Sequence, residues 1–312
     1  MKHAVPPAEV SLRRFGSPRY WPTWALWLCM RALSALPLRM QIKVGKLLAR
    51  PLLKLKARER RTAERNLAAC FPELAPDERD ELLLRHFQAL GASFAEMATG
   101  WCWPIEKLLR IVRIEGREHL DRALGAGKGA ILMAAHFTTL EVGVSVLQVI
   151  APRVSCMYRP QRNALLDALI RRGRSRFAPE QIPRDDVRGL IRKLKAGYAV
   201  VYLPDQTYLG NQAALLPFFG VPAMTNVATS KLARISGAPV LPYFCRRLPD
   251  DSGYVVDIGP PVPDFPSDDP AADTRKLVAL LEDYIRTAPE QYLWIYKKFK
   301  GRPPPYPDLY AK

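Results

Sequence analysis

The sequence predicts an α/β protein with a mixed, mostly parallel central sheet flanked by helices and an N-terminal helical segment that anchors it to a membrane. Three observations carry this. The runs "IVRIEG", "GAILMAA", "RVSCMY", "YAVVYL" and "APVLPYF" are short, apolar and bounded by turn residues, as buried strands are. Helical stretches such as 185–196 and 225–236 lie between them, and strands alternating with helices call for parallel crossovers. Tryptophan and leucine are concentrated among cations in the first 56 residues. The chain therefore divides into residues 1–56, an anchor with a basic amphipathic segment, and residues 57–312, the α/β body.

"WPTWALWLCMRALSALPL", residues 21–38, lies between Arg13, Arg14 and Arg19 on one side and Arg39, Lys43, Lys46 and Arg50 on the other. It lacks a signal-peptide cleavage site. It is short of the roughly 20 residues of a full span, and it contains Arg31. Its tryptophans and flanking cations suit an interfacial belt. A buried core helix is the alternative. An anchor is preferred because "KVGKLLARPLLKLKARERR" follows directly and interleaves leucines with cations like an in-plane helix. Full span and partial embedding both remain open.

Residues 75–103 have helical periodicity and an acidic first turn. Their stripe of Leu83, Phe87, Leu90, Phe94 and Met97 reads as core or membrane-facing packing. After the five strands, "YVVDIG" adds one more, antiparallel to its neighbour. The tail reads as one or two helices and an extended proline-rich end. No internal repeat, GxGxxG or Walker pattern is present, and "GAGKG" at 125–129 is the turn into a strand.

Of 312 residues, 47 are Lys or Arg and 30 are Asp or Glu, giving a net charge of +17. That balance points to a polyanionic partner without choosing between nucleic acid, anionic membrane, phosphorylated lipid and acidic protein. The five cysteines form no CxxC or metal spacing, which argues for reduced thiols and a cytosol-facing body. The four histidines, His3, His86, His119 and His136, are not clustered, so a metal site is not expected.

"AAHFTTLEVG", residues 134–143, carries the chemistry. His136 falls at the carboxyl end of a strand, where reacting groups gather in open α/β sheets. Thr138 and Glu141 have the spacing of a capping box, which would account for the glutamate structurally. A carboxylate in that first turn can also accept the imidazole N–H and leave the other ring nitrogen to take a proton from a hydroxyl. No serine elbow is nearby, so His136 would act on a substrate hydroxyl directly, with Glu141 as its orienting carboxylate. Arg159 and Arg162 lie near the same sheet edge and suit phosphate recognition. Arg171, Arg172, Arg174 and Arg176 read as a solvated helix face. Residues 202–229 form a long connection that opens with Asp205 and Gln206. Within it, "LLPFFGVP" reads as an acyl groove, a membrane-dipping loop, or a tucked loop over the core.

"HFTTLE", "YRPQRN", "PDQTYLGNQAALLPFFGVPA" and "APEQYLWIYKKFKGRP", together with "SPRYWPTW", "AERNLAACFPEL" and "WCWP", resemble the late acyltransferases of lipid A biosynthesis, within the lysophospholipid-type acyltransferase superfamily. The resemblance covers nearly the whole chain. It implies a membrane-anchored α/β enzyme on the cytoplasmic face of the inner membrane. Such an enzyme moves a fatty acyl group from acyl carrier protein to a 3-hydroxyacyl hydroxyl of Kdo-bearing lipid IVA, with no cofactor, no metal and no nucleic-acid partner. "HFTTLE" is more like the first-acting lauroyl or palmitoleoyl branch than the myristoyl branch. The resemblance implies His136 and Glu141 as catalytic, with Arg159, Arg162, Asp205 and Gln206 at the substrate. Thr207 stands where the family usually has an acidic residue, and no role is carried over to it. The rivals are a superfamily member acting on another lipid and a basic non-enzymatic scaffold.

Overall fold

The computed structural model describes residues 11–311; residues 1–10 of the expected anchor segment, with His3, and Lys312 lie outside the described residues. Six helices come first: α1 (Trp21–Ser34), α2 (Leu38–Leu47), α3 (Ala49–Leu55), α4 (Ala57–Cys70), α5 (Pro76–Cys102) and α6 (Ile105–Leu109). The body then runs β1 (Val112–Glu115), α7 (Arg117–Gly125), β2 (Ala130–Met133), α8 (Leu140–Ile150), β3 (Val154–Tyr158) and α9 (Ala164–Arg174). It continues through β4 (Glu180–Pro183), α10 (Val187–Lys195), β5 (Ala199–Tyr202), β6 (Ala213–Phe218) and β7 (Val221–Asn226). It closes with α11 (Ala228–Ser236), β8 (Val240–Arg247), β9 (Tyr254–Ile258) and α12 (Pro270–Thr287).

Seven strands form one sheet in the order β1-β9-β8-β2-β5-β3-β4. From β8 to β4 every pairing is parallel, whereas β9 runs antiparallel to β8 and β1 pairs parallel with β9. The central strand β2 is buried at every position, which is why "AILM" is apolar without alternation. Its side chains still divide by the period of two. Ile131 and Met133 join a core with α10, α11 and α12, while Ala130 and Leu132 join one with α5, α7 and α8.

Two features lie outside the sequence reading. Edge strand β4 is four residues long and ends in Pro183. The "long loop" after β5 contains a separate β6–β7 hairpin, closed by Phe219 and Gly220 at φ 49° and 74°. Two consecutive positive φ values are what a tight hairpin turn requires. Prolines usually argue against a strand, and here Pro217 and Pro222 face each other across the ladder. Leu216 and Phe218 are buried in the core, so this part of "LLPFFGVP" is tucked against the body.

The N-terminal helices pack on α5. α2 and α5 meet backbone to backbone where Gly45 faces Gly91; a Cβ on Gly91 would lie 2.0 Å from the Gly45 carbonyl oxygen. Met30, Leu38, Ile42 and Ala49 are buried in the same cores as the body, yet Trp21, Leu28, Leu47 and Leu55 are more than 60% exposed. Residues 21–38 break into α1 and α2 around Pro37, and residues 43–61 into parts of α2, α3 and α4. No helix among the described residues is long and apolar enough to cross a membrane.

Candidate active site

Parallel pairing of β2 with β5 sets the site. Met133 is opposite Tyr202, and the Ala134 N–H bonds the Tyr202 carbonyl at 2.9 Å, so both chains leave the sheet side by side. His136 and Asp205 therefore face each other at the carboxyl edge. Nδ1 of His136 lies 2.7 Å from Asp205 Oδ1, and the His136 backbone N–H donates to Asp205 Oδ2 at 3.0 Å. A carboxylate there requires the proton on Nδ1, which leaves the Nε2 lone pair free. Nε2 has no protein partner among the described residues, and the side chain is 30% exposed, whereas that of Asp205 is 2% exposed.

The segment after α12, residues 288–299, forms a strap that braces this pair. The Tyr292 hydroxyl donates to Asp205 Oδ2 at 3.3 Å, and Lys298 Nζ donates to the Asp205 carbonyl at 2.6 Å. The Leu293 N–H bonds the His136 carbonyl at 2.9 Å, and the Thr138 N–H bonds the Gln291 carbonyl at 2.8 Å. Thr207 has a local role as well: its hydroxyl donates to the Lys298 carbonyl at 2.5 Å, fastening the loop after β5 to the strap. Burial pushes His136 down, but the charge and hydrogen bond of Asp205 more than offset it, leaving His136 above its ordinary 6.5. Burial likewise pushes Asp205 up, and His136 with Lys298 overrides it, leaving Asp205 below 3.8. Burial lowers Lys298 to about 8 despite Asp205.

Glu141 is not where the spacing placed it. No capping box forms: Thr139 is the N-cap of α8 and makes no side-chain cap. The glutamate's side-chain hydrogen bonds go to residues other than His136. Its Oε2 accepts from Trp101 Nε1 at 2.7 Å, and Arg174 grips the carboxylate through Nε, at 3.1 Å from Oε1, and through Nη2. The contact expected between Glu141 and the imidazole is made by Asp205 instead, because the β2–β5 pairing brings Asp205 close from a distant part of the sequence. Nor is Arg174 part of a solvated face. Its neighbour Arg176, though exposed, donates to the Trp101 and Trp103 carbonyls.

Arg159 and Arg162 follow β3 at the same edge; both are exposed, and neither side chain has a protein partner among the described residues. Gln206 is half-buried beside Asp205. Tyr292 and Lys298 were missed as individual site residues. Their only signal was the stretch "APEQYLWIYKKFKGRP", which carries resemblance and no spacing rule.

Fold and site together define an α/β protein with a histidine–carboxylate pair open to solvent at the edge of a parallel sheet, an arrangement suited to taking a proton from a hydroxyl. The chain belongs to the bacterial lipid A biosynthesis acyltransferase family, whose sequence profile matches residues 11–301. It is 35% identical over 298 residues to the lipid A biosynthesis lauroyltransferase of Escherichia coli (strain K12), covering 94% of this chain and 96% of that one. To the palmitoleoyltransferase of the same organism it is 35% identical over 306 residues, 96% and 97% of the two chains. To the myristoyltransferase it is 26% identical over 305 residues, 96% and 94%.

Proposed function

We propose that this acyltransferase moves a fatty acyl group from an acyl carrier protein thioester to the hydroxyl of a 3-hydroxyacyl chain on Kdo-bearing lipid IVA, at the cytoplasmic face of the inner membrane. The observation that carries the reading is the Asp205-clamped imidazole, whose second nitrogen has no protein partner among the described residues. His136 Nε2 takes the hydroxyl proton, the oxygen bonds to the thioester carbonyl carbon, and the carbon–sulfur bond then breaks. The leaving thiolate recovers the proton from His136. Asp205 holds the reactive tautomer and offsets the charge that forms.

Identities of 35% to the lauroyl and palmitoleoyl enzymes against 26% to the myristoyl enzyme favour the first of the two acyl additions. The exposed apolar residues of α1–α3, set among cations, support an in-plane membrane attachment of the N-terminal segment. Arg159 and Arg162, exposed at the site edge, are the side chains placed to meet the acceptor's phosphates, with Gln206 beside the pair.

The test uses the purified chain in detergent micelles with acyl carrier protein thioesters of several chain lengths and Kdo-bearing lipid IVA, and reads the product mass. A single added acyl group supports the reading. No product here, with product on a glycerolipid or another glycolipid, would replace the acceptor.

A further inference from the structure

We propose that Gln291 is a positioning residue for His136: its carboxamide locks the strap onto the free edge of β8, and its backbone carbonyl holds the histidine loop where the imidazole meets Asp205. This rests on the reading of His136 as the base.

Strand order creates the need for such a lock. β2 ends at Met133, paired with Pro242, but β8 continues to Arg247. On its other side β8 keeps a partner, since β9 pairs with it from Tyr243 to Arg247. The edge that β2 vacates lies among mostly buried residues, so its backbone groups must be satisfied in another way. Side chains do this. The Thr139 hydroxyl donates to the Cys245 carbonyl at 2.5 Å. Two residues on, and so on the same side of the strand, Gln291 takes both backbone groups of Arg247. Its Oε1 accepts the Arg247 N–H at 2.7 Å, and its Nε2 donates to the Arg247 carbonyl at 3.1 Å. A carboxamide offers an acceptor and a donor together, as a neighbouring strand would.

The backbone of the same residue reaches the histidine loop. The Gln291 carbonyl accepts the Thr138 N–H at 2.8 Å. Tyr292 forms an antiparallel bridge with Phe137, and the Leu293 N–H bonds the His136 carbonyl at 2.9 Å. The Tyr292 hydroxyl bonds Asp205 Oδ2 at 3.3 Å. Both members of the catalytic pair are thus held by residues adjacent to Gln291.

The anchor is fixed. The Arg247 side chain is 5% exposed, and its guanidinium bonds Glu96 of α5 at 2.5 Å and Asp251 at 3.1 Å. The strap has other ties: His86 Nδ1 donates to the Glu290 carbonyl at 3.0 Å, Trp294 Nε1 to the Pro289 carbonyl at 2.7 Å, and Asn66 Nδ2 to the Trp294 carbonyl at 2.6 Å. These fasten it to α5, to itself and to α4, and none of the three reaches the sheet. Gln291 is the link to the strand beside β2, and so it sets the height of the strap against the loop that leaves β2.

The test is Gln291→Leu in the full-length chain, read by acyl transfer and by NMR titration of His136 with labelled histidine. The change keeps much of the side-chain shape and leaves the buried Arg247 N–H and carbonyl unpaired. kcat should fall by about 10²-fold, the scale of a misplacement of about 1 Å at a reacting group, with KM for the donor within threefold. The charges acting on His136 are Asp205, which raises it, and Arg174, which lowers it, while Lys298 and Tyr292 act on Asp205. Gln291 and leucine are both uncharged, so a moved midpoint reports moved geometry. The His136 midpoint should fall toward 6.5 as the Asp205 contact loosens. Gly91→Ala, which strains the α2–α5 contact far along the chain, is the control for destabilisation and should leave both readouts unchanged. Gln291→Asn, one methylene short of Arg247, decides the matter if the leucine variant folds poorly, and it should show both effects in smaller size. A folded variant with kcat within threefold of wild type, or with kcat lost and the midpoint unmoved, would overturn the proposal. So would the same two changes in Gly91→Ala. A midpoint that falls in Gln291→Leu, in a protein whose wild type transfers no acyl group, would overturn the assigned reaction and leave the positioning of His136 standing.

Discussion

Asp205→Asn isolates the charge that the histidine–carboxylate pair depends on. The asparagine carbonyl can still accept the His136 backbone N–H, so the loop keeps its anchor. What changes is the contact at Nδ1, 2.7 Å away. At that distance and an effective dielectric of about 20, an imidazolium and a carboxylate attract by roughly 6 kcal/mol before desolvation is counted. Breaking one member of a buried pair costs about 3–5 kcal/mol, and the 30% exposure of the His136 side chain favours the lower end. At about 1.36 kcal/mol per decade, kcat should fall about 10²–10³-fold. The amide also offers its own N–H to Nδ1, driving the ring proton to Nε2, where no hydroxyl proton can then be accepted. The assay is transfer from an acyl carrier protein thioester in micelles, with KM for the donor expected to stay within threefold. Activity within threefold of wild type would refute the role of Asp205.

Further outcomes follow from the same geometry. kcat/KM should rise with pH through a midpoint above 6.5, and the midpoint should drop in Asp205→Asn, where burial acts unopposed. In stability, the raised His136 contributes below its unfolded value and loses that contribution as pH rises through its folded value, while the lowered Asp205 contributes above 3.8 and loses it on acidification. Thermal unfolding of wild type and Asp205→Asn should therefore differ most between about pH 4 and 6.5. Gly91→Ala forces a Cβ onto the Gly45 carbonyl and should cost about 1–3 kcal/mol in denaturant unfolding, whereas Gly125→Ala, with nothing within 4 Å, should be near neutral. Arg247→Leu strips the partner from the fully buried Glu96, 2.5 Å away, and should cost about 3–5 kcal/mol by the same measurement. Leu47→Glu with Leu55→Glu, at side chains 69% and 79% exposed, should weaken sedimentation with anionic vesicles and leave the melting temperature within a degree or two.

The parallel sheet was legible because its central strands are buried on both faces, which writes them as unbroken apolar runs such as "AILM". β9 was legible for the same reason, and it is antiparallel as expected. The β6–β7 hairpin was not, because paired prolines and an apolar turn carry no alternation. His136 was legible from its place after a strand. Its carboxylate was not, because the partner is chosen by strand order, and β5 inserts between β2 and β3. Local spacing suggested Glu141 and could not show that a tryptophan from α5 and an arginine from α9 would claim it. Arg174 looked solvated because nothing local to its helix shows that Gly173 lets the end of that helix close onto Trp101.

The most direct test of the account is acyl transfer to Kdo-bearing lipid IVA by wild type and His136→Ala side by side, with far-UV circular dichroism and vesicle binding recorded on both. The account predicts product from wild type alone, with the two proteins alike in fold and membrane binding. Equal product from a folded His136→Ala would contradict it.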